Sequence, residues 1–183
     1  APPHAAQSIP DNTDWLGSPG FLLPNRQKVS CFDPRLTFKP TMWLYLQRAM
    51  IDGLRVLLPG YVVGGIGIGS LLVILAVYAE YGIWGAYTAI PLLTWAAILL
   101  CLGTVVGLKW LIMGRFRPVV VPLWSRYVWW NELINGLYES LMAPLITNFF
   151  GTPIAAVLLR TLGCKIGRYC YIETALFSEF DLV

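Results

Sequence analysis

The sequence has little charge, and the charge it has is unevenly placed. Asp, Glu, Lys and Arg make up 13% of its 183 residues, against about 25% in an ordinary soluble domain. Between Val56 and Leu108 there is no Lys or Arg, and Glu80 is the only acid. A stretch of this length has room for two spans of roughly 20 residues each and a tight turn. The composition therefore indicates a membrane protein.

The chain also has few histidines and cysteines and little net charge, which argues against several kinds of site and partner. The single histidine, His4, lies in a Pro/Ala-rich stretch and the four cysteines show no CxxC spacing, so we predict no metal site. A net charge of +3, scattered along the chain, does not favour nucleic acid as a partner. The first 20 residues lack the apolar core of a signal peptide. The predicted spans carry no ionisable group between the turn and either end, which disfavours a solute transporter.

The N-terminal part of the chain is predicted to be an arm followed by a surface helix. Residues 1–40 hold more than half of the 13 prolines, which predicts a linker or extended arm. The chain also begins without Met, so we expect a fragment of a longer protein. Residues 41–55 mix apolar side chains with Arg48, Asp52 and Arg55, a pattern typical of a helix lying along a membrane surface.

Residues 56–118 are predicted to form a two-helix transmembrane hairpin with its turn at Glu80–Gly82 and a kink at Pro91. Small residues recur four apart in the first span, either because they form a helix contact face or because glycine is frequent in membrane helices; they are Gly60, Gly64, Gly65 and Gly69. Basic residues flank the two spans and are absent from the turn, so the positive-inside rule predicts a multi-pass protein with both ends cytoplasmic. Three arginines are predicted to meet lipid phosphate at the interface; they are Arg115, Arg117 and Arg126.

Residues 119–162 are predicted to form amphipathic or interfacial helices. Aromatic and aliphatic side chains follow Pro122 at steps of three and four, which predicts one helix ending or kinking near Pro144. Thr152 is then a typical N-cap residue, Pro153 is typical of the first helical position, and Gly163 is typical of a helix end. Together they predict a helix of about ten residues.

Residues 163–183 are predicted to begin a left-handed parallel β-helix. Ile166-Gly167 and Ile172-Glu173 place an aliphatic residue followed by a turn-tolerant one at a six-residue interval, as in a hexapeptide repeat. An ordinary strand pair or loop is the alternative, because repeat folds need several units to bury a continuous core. The predicted fold class is thus an α-helical membrane protein, with a transmembrane hairpin and interfacial helices, leading into the first coil of a β-helix.

Several motifs after Lys109 occur in an order that resembles the membrane-bound C-terminal region of nonribosomal-peptide-synthetase-like proteins, of the ε-poly-L-lysine synthetase type. The segments that carry this resemblance are Lys109–Pro118, Pro122–Ser125, Asn131–Leu133, Gly136–Glu139, Gly151–Pro153, Leu159–Arg168, Tyr171–Thr174 and Ser178–Val183. The chain departs from the family at Cys164, where alanine is more usual. The resemblance implies a membrane and coupling-domain fragment of an enzyme that transfers or polymerises amino acids held on a carrier.

The expected partners and cofactors come partly from the composition, which indicates a membrane, and partly from the resemblance, which implies the carrier domain, phosphopantetheine and ATP. We expect a lipid bilayer, an aminoacyl carrier domain of the same polypeptide and a homo-oligomer as partners. We expect no cofactor in this fragment, with phosphopantetheine and ATP acting elsewhere in the full-length protein. A histidine further downstream is the general base expected in hexapeptide acyltransferases, and it has no counterpart here, so we expect the fragment to lack the catalytic base of the aminoacyl transfer. The alternatives are a structural membrane anchor with an inactive β-helix and a membrane-bound hexapeptide acyltransferase.

Three carboxylates near the predicted β-helix are the candidate catalytic residues, since amide formation needs a base or a group that holds the incoming amine; they are Glu173, Glu179 and Asp181. The other interpretation is structural, in which Glu179 and Asp181 cap turns or pair with nearby basic residues. The basic residues considered are Arg160, Lys165 and Arg168.

Overall fold

The computed structural model describes residues 15–16, 21–22, 32–174 and 178–182, and the chain divides into two units. In the first unit, Ala1–Phe32, strands β1 (Trp15–Leu16) and β2 (Phe21–Leu22) pair antiparallel, with Trp15 opposite Leu22. Most of the predicted proline-rich arm lies outside the described residues. The second unit, Asp33–Val183, contains all the other elements.

The second unit is dominated by one long apolar helix that folds back on itself. After a short 3-10 turn, Pro34–Leu36, helix α1 runs from Met42 to Leu108 and is non-helical at Gly82, where φ is 68° and ψ is −161°. Glycine adopts such angles at no steric cost. A Cβ placed on Gly85 would lie 3.2 Å from Val77 Cγ1, whereas residues eight apart in a straight helix are about 12 Å apart. The chain therefore reverses at Gly82, as predicted, and α1 has two arms, residues 42–81 and 83–108.

Shorter helices follow the second arm. A π-helical turn, Lys109–Met113, precedes α2 (Arg126–Leu137), a second π-helical turn (Tyr138–Met142), α3 (Ala143–Thr147) and α4 (Pro153–Thr161). Ser125 Oγ caps α2 by accepting the Val128 N–H. The helices predicted after Pro122 and between Thr152 and Gly163 are confirmed, and their interfacial location stays a prediction.

These shorter helices form a hub, defined as residues 114–174 and 178–182, on which both arms of α1 pack. Leu58 and Val62 from the first arm and Ile98 and Leu102 from the second contact one hydrophobic cluster. The cluster is centred on fully buried side chains of the hub; they include Leu133, Ile134, Leu137, Met142, Ile146 and Leu162. An ion pair between Arg48 Nη2 and Glu132 Oε2, at 2.7 Å, also joins the first arm to α2.

The rest of α1 is left uncovered. Large apolar side chains along both arms are exposed, and the most apolar 18-residue window, with a mean hydropathy of 2.3, has no residue buried within the structure. Exposed apolar area of this extent calls for a non-aqueous partner. By length and composition, the helical segment Met42–Met113 is able to cross a membrane, which agrees with the predicted membrane association. Pro59 and Pro91 both keep helical backbone angles.

The predicted left-handed β-helix and its hexapeptide repeat are wrong. Residues 163–174 and 178–182 contain no strand; they form irregular backbone ending in a 3-10 turn, Phe180–Leu182. Ile166 and Ile172 pack against the helical cluster instead of lining a coil. Arg160, rather than a neighbouring strand, binds the carbonyl of Ile166, and Tyr169, at φ 60°, breaks the extended run.

Candidate functional site

A buried ion pair lies where the second arm of α1 meets the hub. The side chain of Lys109 is fully buried, and its Nζ donates to Asp181 Oδ2 at 2.8 Å. The Asp181 side chain is 11% exposed. Burying an ammonium group is costly unless a counter-charge and hydrogen bonds satisfy it. Asp181 supplies both, so the pair stabilises the junction between hairpin and hub.

Local backbone geometry brings further groups to this pair. The π-helical turn after α1 ends at Gly114, which has φ 59°, and the chain then turns so that the Phe116 N–H donates to the same Asp181 oxygen at 2.8 Å. Lys109 Nζ also lies 3.6 Å from the centroid of the Trp110 ring. Aromatic faces attract cations, so the ring adds to the attraction of the carboxylate.

Gly163 leaves the space that the ion pair occupies. A Cβ on Gly163 would collide with Asp181 Oδ1 and lie 3.3 Å from Lys109 Nζ. Its φ of 110° is also one that only glycine adopts readily. The helix-stop glycine that the sequence predicts therefore has a second role, which is to admit the carboxylate.

Two titratable side chains beside the pair remain protonated at neutral pH. Burial raises the pKa of the Cys164 thiol to about 11, and the negative charge of Asp181 adds to this rise. Burial also raises the pKa of the Tyr138 hydroxyl to about 12, with a smaller effect from Cys164. A protonated, buried thiol is a poor nucleophile. The surroundings of Lys109 and Asp181 thus suit a structural contact better than covalent chemistry.

A separate pocket of about 640 Å³ opens on the surface of the hub, between one face of α4 and the segment that follows it. Its lining residues come from the start and solvent face of α4 and from the loop after Ile166; they are Gly151, Thr152, Pro153, Ala156, Val157, Arg160, Gly167, Arg168, Tyr169, Cys170 and Tyr171. This volume is within the range of ligand-binding clefts, roughly 300–1,000 Å³. It is the candidate binding site of the hub.

The three predicted catalytic carboxylates lie in different surroundings. Asp181 is bound to Lys109 and Phe116, while Glu173 and Glu179 are exposed. None of the three lines the pocket. Their catalytic role stays a prediction. The ion pair of Lys109 was not predicted from the sequence, in which this residue is interpreted only as a cation flanking a membrane span. Its partner is 72 residues away, so no local sequence pattern indicates the contact.

The three arginines predicted at the lipid interface are all exposed. Arg115 and Arg117 lie on either side of the buried Phe116, just after the second arm ends, and Arg126 begins α2. Contact of these side chains with lipid phosphate stays a prediction.

Comparison with known proteins points to one kind of enzyme. The chain is 39% identical over 177 residues to the delta-poly-L-ornithine synthetase of Acinetobacter baumannii (strain AB307-0294). This match covers 94% of the chain and 13% of the length of that protein. No family model matches the chain, and no solved structure does. The chain is therefore similar to a segment of a poly-amino-acid synthetase.

Proposed function

We propose that this chain is the membrane-embedded part of a synthetase that polymerises amino acids held as thioesters on a carrier domain of the same polypeptide. The similarity to the poly-L-ornithine synthetase supports this function, as does the ordered set of motifs shared with nonribosomal-peptide-synthetase-like proteins. Phosphopantetheine and ATP would act on other domains. The monomer in our proposal is an amino acid with a second amine, such as ornithine or lysine.

The equal length of helix on either side of the turn, measured to the flanking cation, is the observation that best supports a membrane-crossing hairpin. Arg55 and Lys109 lie equally far before and after Gly82 in the chain, at about 40 Å of helix. That length matches a bilayer with its head-group regions, about 40–45 Å. Both cations also contact the hub: Arg55 packs on Gly136, and Lys109 binds Asp181. In our proposal both arms cross the membrane and the hub lies at the cytoplasmic interface, where Val62 and Ile98 of the arms pack on it.

The hub then has a coupling role in the proposed enzyme. It holds both ends of the hairpin in one hydrophobic cluster, and the Lys109–Asp181 contact joins the hairpin to the end of the described chain. Amide formation from a thioester needs a neutral amine and a stabilised oxyanion. We assign neither task to a residue of this chain; the hairpin keeps the reaction at the membrane.

The experiment uses the intact synthetase in membrane vesicles supplied with ATP and radiolabelled ornithine or lysine. We expect labelled polymer from one of these amino acids, and failure with both would contradict the proposed function. In a second protein, residues 56–108 are replaced by an unrelated two-helix hairpin of equal length. We expect polymer formation to fall about tenfold while the protein stays in the membrane, because the unrelated hairpin lacks the contacts that Leu58, Val62 and Leu102 make with the hub. Unchanged synthesis would show that the hairpin is only an anchor.

A further inference from the structure

The pocket on the hub is open to the surface and is bordered by an arch, defined as residues 166–172, that is held at both ends by hydrogen bonds to α4 and to the residues just before it. At one end the Arg160 guanidinium donates to the carbonyls of Ile166 and Gly167, at 2.9 and 2.8 Å. At the other end the Gly151 N–H donates to the Ile172 carbonyl at 2.9 Å. The arch is thus attached before the first turn of α4 and at its last turn. The pocket is the cleft between α4 and this arch.

The floor of the pocket is one face of α4. Pro153, Ala156, Val157 and Arg160 are spaced three and four residues apart, so they form a single stripe along the helix. Small apolar groups make up most of this stripe, and the guanidinium of Arg160 lies at its end. A ligand in the pocket would therefore meet an apolar floor with positive charge at one end.

The charge of the lining is entirely positive. Arg160 and Arg168 both line the pocket, and no carboxylate does. Arg160 is already bound to carbonyl groups, but Arg168 makes no hydrogen bond or ion pair with another side chain in the described part of the chain. A guanidinium group binds phosphate strongly because its donors match two phosphate oxygens. The lining therefore favours a phosphate-bearing ligand.

The pocket also lies beside the end of the hairpin. Trp110, which directly follows Lys109, donates its Nε1 hydrogen to the Thr161 carbonyl at 2.8 Å. Thr161 is the last residue of α4 and follows Arg160 of the floor. Two side chains of the pocket lining are open to the surroundings, since Tyr169 is fully exposed and Val157 is 54% exposed. Exposed tyrosine and aliphatic groups around positive charge are typical of contact with the membrane interface.

We propose that this pocket binds the phosphate of an anionic phospholipid in the cytoplasmic leaflet, with Arg168 as the main phosphate ligand. This inference rests on the membrane topology proposed above and is independent of the polymerisation reaction. Basic cavities on the cytoplasmic side of membrane proteins take lipid head groups in this way. The exposed apolar side chains beside the pocket accommodate the upper part of the acyl chains. A soluble phosphate ester shares the phosphate chemistry and lacks those chains.

The test measures ligand binding to the intact synthetase, purified in detergent and freed of lipid. The ligands are short-chain phosphatidylglycerol, phosphatidylcholine with the same chains, and glycerol 3-phosphate. The variants are Arg168→Gln and, as the matched control, Lys165→Gln, because Lys165 is exposed and does not line the pocket. We expect phosphatidylglycerol to bind best and Arg168→Gln to weaken it about fivefold, with Lys165→Gln close to wild type.

Three results would overturn the assignment. If Arg168→Gln and Lys165→Gln lose the same affinity for phosphatidylglycerol, the lipid is attracted by the surface charge in general and not by the pocket. If phosphatidylglycerol and phosphatidylcholine bind equally well, the charge of the head group is not recognised. Glycerol 3-phosphate binding as tightly as phosphatidylglycerol would identify a site for a soluble phosphate ester. Labelling of the turn at Gly82 from each side of the membrane tests the topology separately. If the topology holds and the lipid does not bind, only this inference fails.

Discussion

Lys109 Nζ lies 2.8 Å from a carboxylate oxygen of Asp181, 72 residues further along the chain. One partner ends the long apolar helix and the other lies in the last described turn, Phe180–Leu182. The contact joins the part of the protein suited to the membrane to the last described turn of the hub. Removing one member of such a buried pair costs far more than removing a surface ion pair.

Replacing Asp181 with alanine is expected to lower the free energy of unfolding by about 3–5 kcal/mol, because Lys109 is then buried without its counter-charge. The midpoint of thermal unfolding, measured in detergent, checks this. The double variant Lys109→Met/Asp181→Leu is expected to recover most of the stability, since it buries no charge. Glu179→Ala is the control, because this carboxylate is exposed. If Asp181→Ala and Glu179→Ala unfold at the same temperature, the pair does not stabilise the junction.

Gly163→Ala is expected to destabilise the hub by about 1–3 kcal/mol or more. The added methyl group meets the Asp181 carboxylate, and φ of 110° is unfavourable for alanine. Gly167→Ala is the matched control, since its Cβ would make an ordinary contact of 3.5 Å with Cys170 Sγ. Thermal unfolding of the two variants side by side is the measurement. A smaller loss in Gly163→Ala than in Gly167→Ala would contradict the packing described here.

Cys164 and Cys170 are expected to react very differently with a thiol reagent. Cys164 is buried and its pKa is raised to about 11, while Cys170 is exposed. At pH 8, in a protein with Cys31 and Cys101 replaced by alanine, Cys170 should be alkylated quickly and Cys164 only after unfolding. Peptide mass spectrometry distinguishes the two sites. Equal rates in the native protein would show that the thiol of Cys164 is accessible.

The same pKa shift predicts a loss of stability in alkali. The unfolded thiol releases its proton near pH 9, while the folded thiol keeps it until about pH 11. The unfolded state therefore binds fewer protons between these values, and the free energy of unfolding falls as the pH rises through this window. Thermal unfolding at pH 8 and pH 10.5 checks this, with Cys164→Ala as the comparison. The alanine variant is expected to lose less stability between the two pH values.

Local signals in the sequence predicted local structure well. The sequence predicts the turn at Glu80–Gly82, after a long apolar run, and the structure has its non-helical residue at Gly82. Helix α4 is predicted because Thr152, Pro153 and Gly163 are signals for the two ends of a helix. The β-helix was wrongly predicted from two aliphatic residues six apart. Ile166 and Ile172 satisfy that spacing equally well by packing on a helical core.

Long-range contacts were not predictable in the same way. The structural interpretation paired Asp181 with nearby cations such as Arg160, but the guanidinium of Arg160 binds backbone carbonyls of the arch. The true partner, Lys109, is close in space only because the hub brings its last turn back to the end of α1. The pocket depends on the same kind of contact, since its lining comes from α4 and from the arch to which Arg160 binds.

The position of the turn at Gly82 tests the central claim most directly. Alkaline phosphatase, which is active only outside the cytoplasm, is fused after Gly82 or after Val183 in otherwise identical proteins. The two-arm hairpin predicts high activity for the first fusion and low activity for the second. Low activity of the fusion after Gly82, with that fusion protein present in the membrane fraction, would show that the arms do not cross the bilayer.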